Sequence, residues 1–363
     1  MGKLRYDYSK TVDYFLDWFE LNARILPWRS TPEPYYVWVS EIMLQQTRVE
    51  AVKGYFERFI EVLPDVKALA EAEDEVLLKL WEGLGYYSRV RNMKKAAVRI
   101  MEDCGGVIPA DYDALCALPG IGAYTAGAIA SIAYGLPEPA VDGNVLRVMK
   151  RIAGSFDDIS KETVKRELRA DLKAVMPVGR CGDFTQSIME LGALVCIPNG
   201  KPLCEQCPVM HLCRAFHEDT IDKIPVKPVA KQRRIEERTV YVMECRGKFA
   251  LHKREDKGLL AGLWELPNTI GKQTPEEIAG QIPPVLTIEE LGKAKHIFSH
   301  VEWHMTGYYL KLSEMLNGYE WKSAEEIRRA VAIPAAFAAY TKSILQGNDS
   351  DDFDMRNNMQ VEG

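Results

Sequence analysis

Four cysteines, Cys196, Cys204, Cys207 and Cys213, fall within the eighteen residues CIPNGKPLCEQCPVMHLC. Thiols this dense are too close together for a long-loop disulfide framework. Such a set holds a metal, either zinc or an iron–sulfur cluster. The prolines and the glycine between them favour a tight loop over a helix through the ligands. The fold must therefore support a closed metal loop at the end of its first two-thirds.

The remaining cysteines of the eight, Cys104, Cys116, Cys181 and Cys245, are scattered and read as small buried hydrophobes. The N-terminal MGKLRYDYSK has no apolar core of a secretory signal. The expectation is a reducing, cytoplasmic setting, bacterial and close to the nucleoid, where thiols ligate metals instead of pairing. No run is long and apolar enough to span a membrane. The 363 residues allow two or three domains, and 47% hydrophobic content fills their cores. A net charge of −6 argues against a protein that coats nucleic acid along its length. It leaves room for an enzyme with a local basic face.

Upstream of the cysteines lies LPGIGAYTAGAIASIAYG, residues 118–135. Pro119, Gly120 and Gly122 make a tight turn, and Leu118, Ile121, Ala126, Ile129 and Ile132 recur at helical spacing after it. Small residues there leave backbone N–H groups open at a helix N-terminus, a cradle for phosphate. With the amphipathic segment 112–117 before it, the pattern is that of a helix-hairpin-helix DNA-binding element.

Residues 8–220 read as mostly helical, with segments at 10–24, 35–50, 51–61, 73–80, 88–103, 121–134, 143–153, 160–175 and 183–195. DKIPVKPVAKQRR, within 222–234, is rich in proline and base and reads as a linker. Short β-type runs then follow at 239–243, 248–252, 295–300 and 305–312, with helices at 274–280 and 323–331. The expected organisation is a helical region over 1–221, a linker over 222–234, a smaller α+β domain over 235–345 and a disordered tail over 346–363.

Glu41 is a carboxylate in an apolar helical run, Val37 to Leu44. Buried there, it would hold its proton to a higher pH and could donate it. Spacing alone equally allows an exposed glutamate on a polar face. Asp142, in PAVDGNVLRV, stands where an N-cap is the commoner meaning. The two roles are compatible, because a cap also fixes the direction of the carboxylate. Together the two acids are what removal of a base from a sugar needs: a donor to the leaving group and an anion beside an oxocarbenium-like centre.

The blocks VSEIMLQQT, LPGIGAYTAGAI, VDGNVLRV with the cysteines, and HIFSHVEWH make the chain similar to the MutY-type adenine DNA glycosylases to about residue 345. The resemblance implies that Glu41 protonates N7 of adenine and then activates water. It implies that Asp142 stabilises the sugar cation or bonds to it, with Asn144 orienting the site. Tyr124 stands where related endonuclease III-type enzymes carry a nucleophilic lysine, and no lysine occurs between Met101 and Lys150. A glycosylase without strand-cleaving lyase activity follows. Gln46 and Thr47 match the wedge that enters the duplex as adenine leaves it, which offsets a few kcal/mol of extrusion. Trp28, Arg29, Leu84 and Tyr86 match positions lining the base pocket or contacting the lesion, and Gly120 and Gly122 the DNA-binding hairpin. The resemblance assigns a 4Fe–4S cluster to the four cysteines, with zinc as the alternative. Their gaps are seven, two and five residues, where the family has six, two and five.

The second domain resembles a Nudix fold, with GLLAGLWELP before a weak acidic helix containing Glu276 and Glu277. The metal-binding box of active Nudix hydrolases is missing, so a recognition domain is expected. Phe298, Ser299 and His300 match the loop that reads 8-oxoguanine. The expected partner is duplex DNA with adenine opposite 8-oxoguanine or guanine, bound by a monomer. Three other readings compete: an endonuclease III-like pyrimidine-lesion glycosylase with lyase activity, a non-catalytic DNA-damage binder and a Nudix nucleotide hydrolase. Tyr124, the pair Glu41 and Asp142, and the broken box argue against them in turn.

Overall fold

The computed structural model describes residues 6–228 and 232–345. The expected disordered tail over 346–363 lies outside these residues, as does the middle of the expected linker. The described residues divide into two compact units, one of residues 6–72 and 88–228, the other of residues 73–87 and 232–345.

The first unit is helical. One of its cores is built where the helices Val12–Asn22, Gly143–Ala153, Glu162–Lys173 and Cys181–Leu194 meet, through Phe15, Leu16, Val148, Met149, Leu168, Phe184, Ile188 and Leu191. Local chemistry sets the helix ends. Pro34 opens the Pro34–Leu44 helix at a position where its missing N–H does no harm. Asp111 and Asp142 cap the Tyr112–Cys116 and Gly143–Ala153 helices with side-chain oxygens. Gly154, at φ +61, closes the latter in the left-handed conformation that glycine takes without strain. The helix expected over 35–50 stops instead at Leu44, because Gln46 adopts φ +60 and a new helix starts at Val49. The helix after the glycine hairpin, Ala123–Ala128, continues as a π-type turn over Ile129–Ala133.

The second unit is a sheet with helices on both faces. Its strands are β1 (Arg234–Cys245), β2 (Lys248–Lys253), β3 (Trp264–Glu265), β4 (Asn268–Ile270), β5 (Val285–Ile297), β6 (Val301–Leu312) and β7 (Glu320–Ser323). The order is β3-β2-β1-β6-β5, with β4 on β1 and β7 on β2. β1 and β6 run parallel from Arg234↔Val301 to Glu244↔Lys311. Val240 and Val242 enter one core with Trp303 and Phe337, while Tyr241 and Met243 enter the other with Tyr308 and Leu310. A strand covered on both faces reads as an unbroken apolar run, as Thr239–Met243 does.

Residues 73–87 carry the helix expected over 73–80, as Asp74–Leu80, and group with the second unit by their contacts. There Lys79 donates to the Val331 carbonyl at 3.0 Å, and Glu82 accepts the Ile333 N–H at 2.9 Å. The strand expected over 295–300 ends at Ile297, and Phe298–His300 form the turn into β6. Most of β5 upstream of that point escapes a sequence reading, because its side chains are half-buried or exposed and no apolar alternation marks it.

Candidate active site

The Pro34–Leu44 helix is buried nearly all round, and it carries its single acidic residue, Glu41, inward at 7% exposure. Burial pushes the Glu41 carboxyl up to about 7; a hydrogen bond from Tyr124 pulls down, the Asp142 charge pushes up, and Arg29 opposes it. Tyr124, in the first turn of the Ala123–Ala128 helix, donates its hydroxyl to Glu41 Oε2. Its own pKa is raised well above the ordinary tyrosine value by burial and by the two neighbouring carboxylates, so it remains a neutral donor.

Asp142 is both cap and candidate stabiliser. Oδ1 accepts the Val145 N–H at 2.7 Å and Oδ2 accepts the Asn144 amide at 2.7 Å. Burial raises its pKa, and these donors work against burial by favouring the anion. Asn144 is held in turn by Arg147, which donates to its Oδ1 at 2.8 Å and to the Gly192 carbonyl at 2.8 Å. The close approach depends on Gly192: a Cβ there would stand 2.7 Å from the Asn144 Cβ.

Glu41, Tyr124, Asp142 and Asn144 line one cavity of about 810 Å3, open mouth included, together with Trp28, Arg29 and Thr47. Sequence reasoning missed its other charged wall. Glu190 is 2% exposed and receives Arg24 at 2.6 Å and Arg29 at 2.9 Å. Burial alone would raise its pKa, but the hydrogen bonds from Arg24 and Arg29 outweigh it and hold the carboxyl at about 2. Arg29 also donates to Gln186 at 2.9 Å. The missed signal was a glutamate in an apolar helical run, Ile188 to Leu194, the same pattern that marked Glu41. Beside Asp142 the cavity thus holds two carboxyls of opposite character: Glu41, which keeps its proton up to about pH 7, and Glu190, fixed as an anion.

Gln46 is exposed on the turn after the Glu41 helix. Gly120 makes the hairpin turn at φ +76, and a Cβ there would press to 2.7 Å from the Asn92 Cβ. Gly122 is the N-cap of the Tyr124 helix, with open space where a Cβ would stand. Leu84 and Tyr86 belong to the second unit. The Tyr86 hydroxyl lies 3.4 Å from that of Ser299, within hydrogen-bond range. In the same unit Phe298 stacks edge-on between His296 and Trp303, at 4.6 and 4.8 Å between ring centres. Ser299 and His300 face outward. The acidic helix Pro275–Gln281 spends Glu277 on a capping box with Thr274.

Cys196, Cys204, Cys207 and Cys213 line one cavity of about 400 Å3 with Val148, Leu191 and other largely apolar neighbours. Arg151 donates to Cys196 Sγ at 3.3 Å and to the Ile197 carbonyl at 3.1 Å. Among the described residues no three histidine, cysteine or acidic side chains are grouped tightly enough to bind one ion. The four thiols line one space, a donor set whose chemistry suits zinc or an iron–sulfur cluster.

The sequence matches the HhH-GPD superfamily of base excision DNA repair proteins over residues 39–173 and the NUDIX domain over residues 238–343. The adenine DNA glycosylase of Mus musculus is 34% identical, over 88% of this chain and 75% of its own length. That of Buchnera aphidicola subsp. Schizaphis graminum is 32% identical, over 83% of this chain and 88% of its own. Among solved structures, a thermostable thymine-DNA glycosylase superposes with a TM-score of 0.54 at 27% identity, covering 58% of this chain and 97% of that one.

Proposed function

The chain belongs to the adenine DNA glycosylase family, and from that premise we propose that it hydrolyses the N-glycosidic bond of adenine opposite 8-oxoguanine or guanine in duplex DNA, leaving the strand intact. The observation that carries this reading is the pairing of a raised Glu41 carboxyl with Asp142 in one cavity. Glu41 gives its proton to the base as the bond to C1′ breaks, so adenine leaves neutral. Asp142 faces the positive charge that develops on the sugar. Water then adds to C1′ and returns a proton to Glu41. Arg29 and Glu190 supply donors and acceptors on one wall for the edge of the flipped base.

No lysine lines this cavity among the described residues. Lys150, the nearest one after Asp142 in the chain, pairs with Asp157 at 3.2 Å. A Schiff base with the sugar therefore has no evident amine. Lesion reading falls to Ser299 and His300, whose outward side chains can meet the N7–H and O8 that distinguish 8-oxoguanine. Phe298, stacked inward, holds the turn. One chain carries both elements, consistent with a monomer. Cys196, Cys204, Cys207 and Cys213 would hold a 4Fe–4S cluster. A cluster held there would serve structure and DNA contact, with no part in hydrolysis.

The test is incubation with duplexes carrying adenine opposite 8-oxoguanine, adenine opposite guanine, or thymine glycol. The expected result is release of adenine from the first two, with strand breaks only after hot alkali. Breaks without alkali, with borohydride trapping of an enzyme–DNA adduct, would refute it. Glu41→Gln and Asp142→Asn each abolish release while keeping affinity within about tenfold, because groove contacts survive.

A further inference from the structure

Arg89 stands in the first turn of the Ser88–Cys104 helix, where a positive charge opposes the helix dipole. Its guanidinium crosses to the far end of another helix. One nitrogen donates to the Ile42 carbonyl at 2.6 Å and to the Gln45 carbonyl at 2.7 Å, with the Met43 carbonyl at 3.4 Å. These are terminal carbonyls of the Pro34–Leu44 helix and its C-cap, which lack partners within the helix and favour a cation. A charge placed against its own dipole is thus spent on the end of the helix that carries Glu41.

The next residue after Gln45 is Gln46, at φ +60. That conformation is uncommon for a residue with a Cβ, and strained residues persist only where the surroundings fix them. Thr47 closes the turn through its N–H to the Leu44 carbonyl at 3.2 Å. Gln46 is left exposed between two helices. Without a clamp, the helix could run on past Leu44 and carry Gln46 off its present direction. The sequence itself reads as a continuous helix there, which is the conformation the clamp opposes.

We infer that Arg89 is a positioning residue: by holding the Gln45 carbonyl it presets Gln46 in its left-handed conformation for entry into the duplex as adenine is extruded. This rests on the reading of Gln46 as the wedge. Arg89 touches neither base nor sugar in the scheme above. It acts through Gln46, on the step that opens the base pair.

Single-turnover excision separates the step from the chemistry. One substrate is a duplex with adenine opposite 8-oxoguanine; the other carries the same adenine as an unpaired single-base bulge, whose extrusion needs less unpairing. The readout is the duplex-to-bulge rate ratio. Arg89→Ala is expected to lower that ratio about tenfold, equivalent to about 1.4 kcal/mol of barrier. Arg89→Lys, which keeps a cation at the carbonyls, recovers part of it and serves alone if the alanine variant does not accumulate. Arg89→Ala combined with Gln46→Ala falls no further than Gln46→Ala alone, within about twofold, as expected of residues acting as one unit. With 2-aminopurine as the target base, the fluorescence rise on binding slows in the Arg89 variants. A normal ratio in both Arg89 variants, with a lowered one in Gln46→Ala, overturns the role of Arg89 and leaves the wedge standing. Equal slowing on both substrates also overturns it, as general damage. A normal ratio in Gln46→Ala removes the wedge reading and this inference with it.

Discussion

The Tyr124 hydroxyl and the Glu41 carboxylate, 83 positions apart in sequence, share a hydrogen bond in the cavity of the helical unit. The bond favours the ionised acid, whereas burial favours the protonated one, and burial is the stronger. Glu41 therefore titrates near neutrality, where a proton donor is most useful.

Excision by the wild-type chain is expected to fall as pH rises through about 7, as Glu41 loses its proton. Removing the hydroxyl in Tyr124→Phe takes away a donor to the anion, so the acid holds its proton longer and the alkaline limb moves up. Single-turnover rates between pH 5 and 9 (roughly, spanning the shifted and ordinary carboxyl values) read this directly. A limb that stays in place in Tyr124→Phe means another group titrates there.

Glu190 has the opposite sign. Its folded pKa, about 2, lies below the ordinary glutamate value of 4.5, so the stability it contributes is present above 4.5 and is lost as pH falls toward 2. Glu190→Gln is expected to cost about 2–3 kcal/mol at neutral pH, by weakening charged hydrogen bonds to Arg24 and Arg29. It also flattens the acid limb of stability. Denaturant titrations at pH 7 and in acid measure both effects, and an unchanged acid limb would assign that limb to other carboxylates.

Gly192→Ala should act at a distance from the cavity floor. The new Cβ meets the Asn144 Cβ at 2.7 Å and the Arg147 guanidinium at 3.4 Å. Neither the Asn144 backbone nor its cap partner can move freely, so Asn144 is pushed off Asp142. The expected result is a loss of about 1–3 kcal/mol in stability and slower excision at unchanged DNA affinity. Full activity would mean that the helix pair slides apart at little cost.

Ser299→Ala with His300→Ala is expected to narrow the preference for adenine opposite 8-oxoguanine over adenine opposite guanine. Losing one or two hydrogen bonds to the oxidised base corresponds to roughly 1–3 kcal/mol, or about ten- to a hundredfold in the ratio of dissociation constants. Both constants are measured at one salt concentration. An unchanged ratio would take lesion reading away from this turn.

The purified protein should be brown, with a visible charge-transfer band and about four irons per chain. Metal analysis that finds one zinc and no colour would replace the cluster while leaving the glycosidic chemistry as it stands.

The sequence by itself determined what acts over a few residues or one turn. The cysteine run gathers four thiols in one loop, the glycines set the hairpin turn, and Asp142 at the head of GNVLRV is the cap it was read to be. The parallel pairing of β1 with β6 was not marked, but the apolar run of β1 was. Tertiary structure decided what depends on burial and on partners far along the chain. Glu41 and Glu190 sit in apolar helical runs of the same kind. Burial pushes both up: it prevails at Glu41, held at about 7 against the single neutral donor Tyr124, and is outweighed at Glu190, held at about 2 by two cations, Arg24 and Arg29, arriving from 166 and 161 residues away. The end of the Glu41 helix was likewise settled from outside. Its own periodicity runs on past Leu44, and Arg89 meets the carbonyls that end it. A side chain's chemistry is written in its residue type; its charge state and direction come from the field and packing that only the folded chain assembles.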